Sequence, residues 1–180
     1  MFRTLSFLLA LAIPSAAIAE VRASYAENGT TLFSFDVPDF WDLRSGGRRT
    51  LTLPGTEDAR NIPQILSMRP TVDPTVWMAF YSPDGVRNIS EGKDYLREIG
   101  EFLTNTPEIT KNDPGHVAGR AAQIVKGTGR RDGKSLQFTI AIIDLPGPRI
   151  AIGVAVVEAG TEPAFYDELN AVYDSFRAGK

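Results

Sequence analysis

Apolar and polar residues alternate strictly through 31-TLFSFDV-37, where Phe33, Phe35 and Val37 fall on one side and Ser34 and Asp36 on the other. A period of two marks a strand with one buried face. The apolar positions of 21-VRASYA-26 and the Asn28-Gly29 pair after them predict a hairpin, because Asn-Gly readily takes the left-handed backbone that tight turns need. Pro38 offers no N–H and ends the ladder, and Phe40 and Trp41 are expected to cover the core where the chain leaves the sheet.

Further strands follow the same rule. After the loop 44-RSGGRR-49, Leu51 and Leu53 alternate with threonines in 50-TLTL-53, and Pro54-Gly55 closes that strand. Pro63 confines 62-IPQILSMR-69 to an edge or a strand start. The stretch 75-TVWMAFY-81 is apolar on both sides and is expected to be covered on both faces. Three longer strands are predicted at about 117–128, 135–143 and 149–157, joined by the turns 130-RRDGK-134 and 144-DLPGP-148.

In the last two strands the even positions are large (Leu136, Phe138, Ile140, Ile142; Ile150, Ile152, Val154, Val156) and the odd ones mostly small or polar. Burying the large set together requires even opposite even, since a slip of one residue would mix the faces. One face of the sheet is therefore bulky and its reverse shallow. A shallow face admits the close approach of a helix, or leaves a groove.

The period changes from Glu91 onward. Tyr95, Leu96, Ile99, Phe102 and Leu103 recur at helical spacing, Ser90 is the expected cap, and Pro107 closes the helical region. A second helix is predicted near the end, with Thr161 as cap, Pro163 near the first helical position, and a stripe of Phe165, Leu169, Val172, Tyr173 and Phe176. No internal repeat, low-complexity tract or linker divides the chain.

The first nineteen residues stand apart from this pattern. Arg3, the apolar run Leu5 to Ile13, and Ala17-Ile18-Ala19 form the three parts of a secretory signal, cleaved after Ala19. That run is too short to span a bilayer. Residues 20–180 remain as one domain, and a periplasmic location is expected. Cysteine is absent, which excludes disulfides, thiolate chemistry and a lipidated cysteine after the signal. The formal net charge of -3 argues against a nucleic-acid partner.

The residues 33-FSFDVPDFW-41, 119-GRAAQIV-125 and 171-AVYDSF-176, in this order of elements, resemble the PsbP-like superfamily. It includes the extrinsic photosystem II subunit, a nuclear small-GTPase-binding relative and bacterial DcrB-type proteins. The resemblance covers nearly all of residues 20–180 and rests on core and turn positions. It implies an α+β protein: an α/β/α sandwich around a central antiparallel sheet of about six or seven strands, usually non-enzymatic and acting by docking onto other proteins. Some bacterial relatives shelter apolar helices of secreted effectors in a groove; those are generally cytoplasmic, which the secretory signal contradicts.

Candidate chemistry is sparse. His116 is the only histidine, so multi-imidazole metal sites and Ser-His-Asp triads have little to draw on. The segment 112-NDPGH-116 offers Asn112, Asp113 and His116 as a weak metal site, with a surface turn as the favoured reading. Ser82, in Ser-Pro-Asp-Gly, reads as a turn residue rather than a nucleophile. The sequons at Asn28 and Asn88 are accounted for by a turn and a helix start. Arg44, Arg48 and Arg49 share one loop, and Arg130, Arg131 and Lys134 share a hairpin tip. At the same end of the sheet they would form a basic patch for an acidic protein partner or an anionic lipid surface. Trp77 and Tyr81 share a strand face, where core packing is the first expectation and partner anchoring the second.

These observations favour a non-enzymatic periplasmic accessory protein that docks onto a protein partner and uses no cofactor. The alternative is a binder of a small ligand or divalent metal, through the shallow face or residues 112–116; a hydrolase is a minor third.

Overall fold

A computed structural model describes residues 20–52, 59–103 and 105–180. The expected secretory signal, Leu53 with its Pro54-Gly55 stop, and the side chains of residues 49–62 and 98–105 lie outside the described residues. The elements run β1 (Glu20–Glu27), β2 (Thr30–Pro38), β3 (Trp41–Gly46), β4 (Arg49–Thr52), β5 (Ala59–Ile62), β6 (Ile65–Pro70), β7 (Val76–Tyr81), α1 (Ile89–Leu103), β8 (Asn105–Val117), β9 (Arg120–Arg131), β10 (Lys134–Leu145), β11 (Arg149–Glu158), α2 (Ala164–Asp174) and β12 (Arg177–Ala178).

The centre is a seven-stranded antiparallel sheet in the order β3-β6-β7-β11-β10-β9-β8. Its middle pair keeps even opposite even, with Phe138 against Val156, Ile140 against Val154 and Ile142 against Ile152. The bulky and shallow faces therefore exist as the alternation implies. Helix α1 lies on the bulky face. The shallow face carries α2 and a second sheet, β1-β2-β12, giving helices on both sides of an α+β sandwich.

The shallow face is filled by rings. Phe80 of β7 meets Phe35 at 4.5 Å and Phe176 at 5.9 Å between ring centroids, and Tyr25 stacks on Phe33 at 4.7 Å. Gly153 makes room for them: a Cβ there would stand 2.6 Å from Cε1 of Phe80 and 2.8 Å from Cε1 of Tyr173. Trp41 is buried at the sheet exit and donates its Nε1–H to Glu168 of α2 at 3.0 Å, while Phe40 remains 39% exposed. Only one of that aromatic pair covers the core.

Three tight turns use positive φ at both central residues: Asn28-Gly29, Ala118-Gly119 and Asp132-Gly133. That conformation matches the twist of the flanking strands. Ala118-Gly119 joins β9 to β8, the strand that sequence reasoning missed. Residues 112–116 read as a surface turn and the predicted strand starts only at about 117, because prolines and charges interrupt any alternation, yet β8 pairs with β9 from Asn105 to Val117. An edge strand exposed on most of its length needs no apolar face, and its two prolines and its charges discourage further pairing.

Other differences are local. The strand expected at 62–69, which Pro63 confined to an edge or a strand start, begins only at Ile65, after Pro63-Gln64, and β6 lies inside the sheet between β3 and β7. Helix α1 is capped by Asn88, not Ser90: Oδ1 of Asn88 accepts from the Glu91 N–H at 3.0 Å, and Glu91 reaches back to the Arg87 N–H at 2.8 Å. This reciprocal arrangement satisfies donors that the first turn leaves open. Pro163 occupies the cap position of α2 without a side-chain bond, and Thr161 instead bonds to Thr75 and the Glu158 carbonyl.

Candidate functional site

Helix α1 meets the bulky face at Gly92. A Cβ there would fall 2.7 Å from Cγ2 of Ile142 and 2.8 Å from Cδ1 of Ile150, so the first turn sits flush on the sheet. Beyond it the side chains of Lys93, Leu96 and Arg97 form a wall, and a groove of ≈ 460 Å³ opens between them and the strands. Its floor is Leu136, Phe138, Ile140, Ile142, Val154 and Val156, and its far side is Ile109 with Asn112 of β8. No acidic side chain lines it among the described residues. Lys93 and Arg97, four positions apart, share one face of the helix. Arg97 also pairs with Asp94.

A second cleft, of ≈ 430 Å³, lies under α2 on the opposite face. Thr128, Gln137, Thr139, Tyr166 and Asn170 give it a polar lining. The shallow face thus shows both expected outcomes, the approach of α2 and a cleft beside it, and a second, apolar groove opens on the bulky face.

The two expected basic groups do not meet. Arg149, which pairs with Leu145, stands at one end of the β10–β11 pair, and Lys134 and Glu158 stand at the other. Ten paired positions place those ends about 30 Å apart. Arg48 belongs to the Arg149 end, where both arginines pair with Glu27 and Arg48 also holds Asp84 at 2.8 Å. Arg44 lies partway along edge strand β3, opposite Ser67. Arg49 opens β4, with its side chain outside the described residues. At the hairpin tip, Lys134 is bonded to Glu158 at 2.7 Å and Arg130 to the Gly133 carbonyl at 3.2 Å, with Arg131 exposed beside them. The loop and the tip therefore form no common patch, because the hairpin that carries the tip runs away from the loop.

Asp113 and His116 are also separated. They are three positions apart in β8, opposite Ile124 and Ala121, and the alternation of a strand sends their side chains to opposite faces. One ion cannot be held by both. Asp113 instead lies 3.5 Å from Lys111, and among the described residues no group of three or more His, Cys, Asp or Glu could hold a metal. The expected loop would have allowed them to converge; the strand does not.

Tyr81 is 6% exposed, with the Tyr95 ring 6.4 Å away, so it belongs to the core under α1 and offers no free anchor. Trp77 is half-buried opposite Val156, at the margin of the groove. Ser82 is fully buried and donates to the Ile150 carbonyl at 2.7 Å, a structural role. Burial pushes the Tyr81 hydroxyl well above the usual tyrosine range, with Tyr95 adding to it, and burial likewise raises Tyr173 and Tyr25. These tyrosines stay neutral at ordinary pH.

The fold has solved counterparts. Cyanobacterial PsbP from Synechocystis sp. PCC 6803 superposes with a TM-score of 0.54 at 11% identity, covering 94% of this chain and 98% of that one. The fold is PsbP-like. LpqN of Mycobacterium tuberculosis, described as involved in cell envelope biogenesis, shares this PsbP-like architecture with a TM-score of 0.52 at 13% identity over 90% of this chain and 91% of its own. A Bacteroides thetaiotaomicron structure matches 83% of the chain with a TM-score of 0.50 at 15% identity, and the chain spans only 46% of its length. No family model matches the sequence, and no curated protein matches it. No helix among the described residues is long and apolar enough to cross a membrane.

Proposed function

We propose that the protein is an exported, non-enzymatic accessory factor of the cell envelope, and that it acts by binding through the groove under α1. The observation that carries this reading is the groove itself: an apolar floor on interior strands, walled by two cations and free of acidic residues among the described positions. Apolar grooves with a few placed polar groups are the usual form of a binding site. Export is supported by the signal pattern of residues 1–19, and an envelope role is in keeping with the description of LpqN. The partner is a protein of the envelope.

Capture from solubilised envelopes tests the reading. The processed protein should retain a stoichiometric partner, and Leu96→Glu, which places an acid in the groove wall, should release it. Equal capture by the variant, or substrate turnover in place of capture, would reject the groove as a docking site.

A second reading, that the groove takes a small ligand, is favoured by its volume, which lies within the roughly 300–1,000 Å³ of small-molecule sites. The divalent-metal form of that reading loses its support with the separation of Asp113 from His116.

A further inference from the structure

We propose that the cleft under α2 binds an acidic oligosaccharide, with a uronic acid carboxylate at Lys126 and a sugar ring against Tyr166. The cleft lies on the sheet face opposite the groove under α1, between α2 and strands β9 and β10, with Thr110 of β8 on its far side. Its ≈ 430 Å³ falls within the range of small-molecule sites. The apolar members of its lining are closed to solvent, Ala155 and Val157 at 4% and Leu169 at 5% exposure. A ligand therefore meets Lys126, Gln137, Tyr166 and Asn170, all exposed, and the hydroxyls of Thr128 and Thr139.

That set suits a sugar. The side-chain amides of Gln137 and Asn170 make no hydrogen bond among the described residues. A primary amide both donates and accepts, as a sugar hydroxyl does, and an exposed ring beside it offers a platform for the apolar C–H face of a sugar. A peptide finds less here. No open apolar pocket would take one of its side chains, and β9, β10 and β11 are interior strands whose backbone groups are already paired.

Charge selects the acidic form. Lys126 stands directly opposite Lys111 in the β8–β9 pair, and like charges at such positions repel. Lys111 is relieved by Asp113 at 3.5 Å, whereas Lys126 has no ion pair among the described residues, so a carboxylate in the cleft would supply the missing counter-charge. Past Thr128 and Gln137 the cleft adjoins a second hollow of ≈ 400 Å³ that reaches Arg130 at the hairpin tip. The four residues from Lys126 to Arg130 span about 14 Å, room for more than one sugar unit. Glu108 lines the second hollow, which leaves the carboxylate-bearing unit at Lys126 and a neutral one beyond it.

Calorimetric titration of the processed protein tests the assignment with three probes: cellobiouronic acid, cellobiose, which lacks the carboxylate, and an end-blocked tripeptide with a central glutamate. The acid should bind saturably and about tenfold more tightly than cellobiose, and high salt should shrink that preference. Lys126→Gln should bring acid and cellobiose to the same affinity, Tyr166→Ala should weaken both about fivefold, and Glu108→Gln should strengthen the acid alone. Lys126 is exposed and Tyr166 is 40% exposed, so neither variant should lower the melting temperature.

Absence of saturable binding of the acid, equal affinity for acid and cellobiose, a preference that survives Lys126→Gln, or indifference to Tyr166→Ala would each overturn the assignment. Tighter binding of the tripeptide than of either sugar would overturn it as well and make the cleft a peptide site.

Discussion

The two faces of the central sheet are covered by different means. On the shallow face, Phe33, Phe35, Phe80 and Phe176 interlock with Tyr25 and Tyr173, drawing on β1, β2, β7, α2 and the residue before β12. On the bulky face, the first turn of α1 rests on Ile142 and Ile150 at Gly92, and a groove lies beside Lys93, Leu96 and Arg97. Large side chains on a sheet hold a helix off unless a glycine lets it in; small ones invite other elements to interdigitate. Both faces are buried and each keeps a cleft, polar-lined under α2 at ≈ 430 Å³ and apolar-floored under α1 at ≈ 460 Å³.

Mutations on matching positions sharpen this contrast. Phe80→Ala removes the ring shared by four aromatic neighbours and should lower unfolding free energy by about 3–5 kcal/mol, measured by denaturant titration. A loss below about 1 kcal/mol would mean that the ring cluster is not the tight core described here. Gly153→Ala adds one methyl against two locked rings and should cost about 1–3 kcal/mol.

The cap of α1 gives a smaller effect. Asn88→Ala should cost about 1 kcal/mol and loosen the groove wall, read as faster hydrogen exchange across the first turn of α1. Gly92→Ala is the counterpart of Gly153→Ala on the other face. Its new methyl meets Cγ2 of Ile142 and Cδ1 of Ile150, both fully buried, so an overpacking cost of about 1–3 kcal/mol is offset in part by the about 1 kcal/mol by which alanine favours a helix over glycine, and the net loss should be smaller than at Gly153. Equal losses at Gly153 and Gly92 would remove the distinction between the faces.

The last effect vanishes at neutral pH. Tyr25, Tyr81 and Tyr173 all have folded values raised above the ordinary 10.0, so the folded state keeps protons that the unfolded chain releases. Their contribution is complete below pH 10 and declines as pH rises beyond it. Denaturant midpoints followed from pH 9 to about pH 11.5 should fall, and Tyr173→Phe should make that fall shallower. An unchanged slope in the variant would show that Tyr173 is not the buried group described.

Local pattern was enough for most elements. The hairpin of β1 and β2, the paired β10 and β11, and the apolar stripe of α2 followed from periods of two and 3.6 and from turn residues with fixed backbone demands, and these are properties of neighbouring residues. Residues 105–117 resisted such reading because an exposed edge strand carries no alternation, and β12 resisted it because two residues have no period. The candidate site was harder still. Leu136, Phe138, Ile140 and Val154 were legible as one large-residue face, but nothing local says that Lys93, Leu96 and Ile109 would border a groove over it.

What the sequence determined by itself is both helices, most of the strands and the division of the sheet into a large-residue and a small-residue face, since alternation is written in consecutive side chains. Tertiary structure alone decided what covers each face, that the basic loop and tip lie at opposite ends, and that Asp113 and His116 point apart. Those outcomes depend on strand order, on register and on the approach of a helix through one glycine, and such relations join residues far apart in the chain.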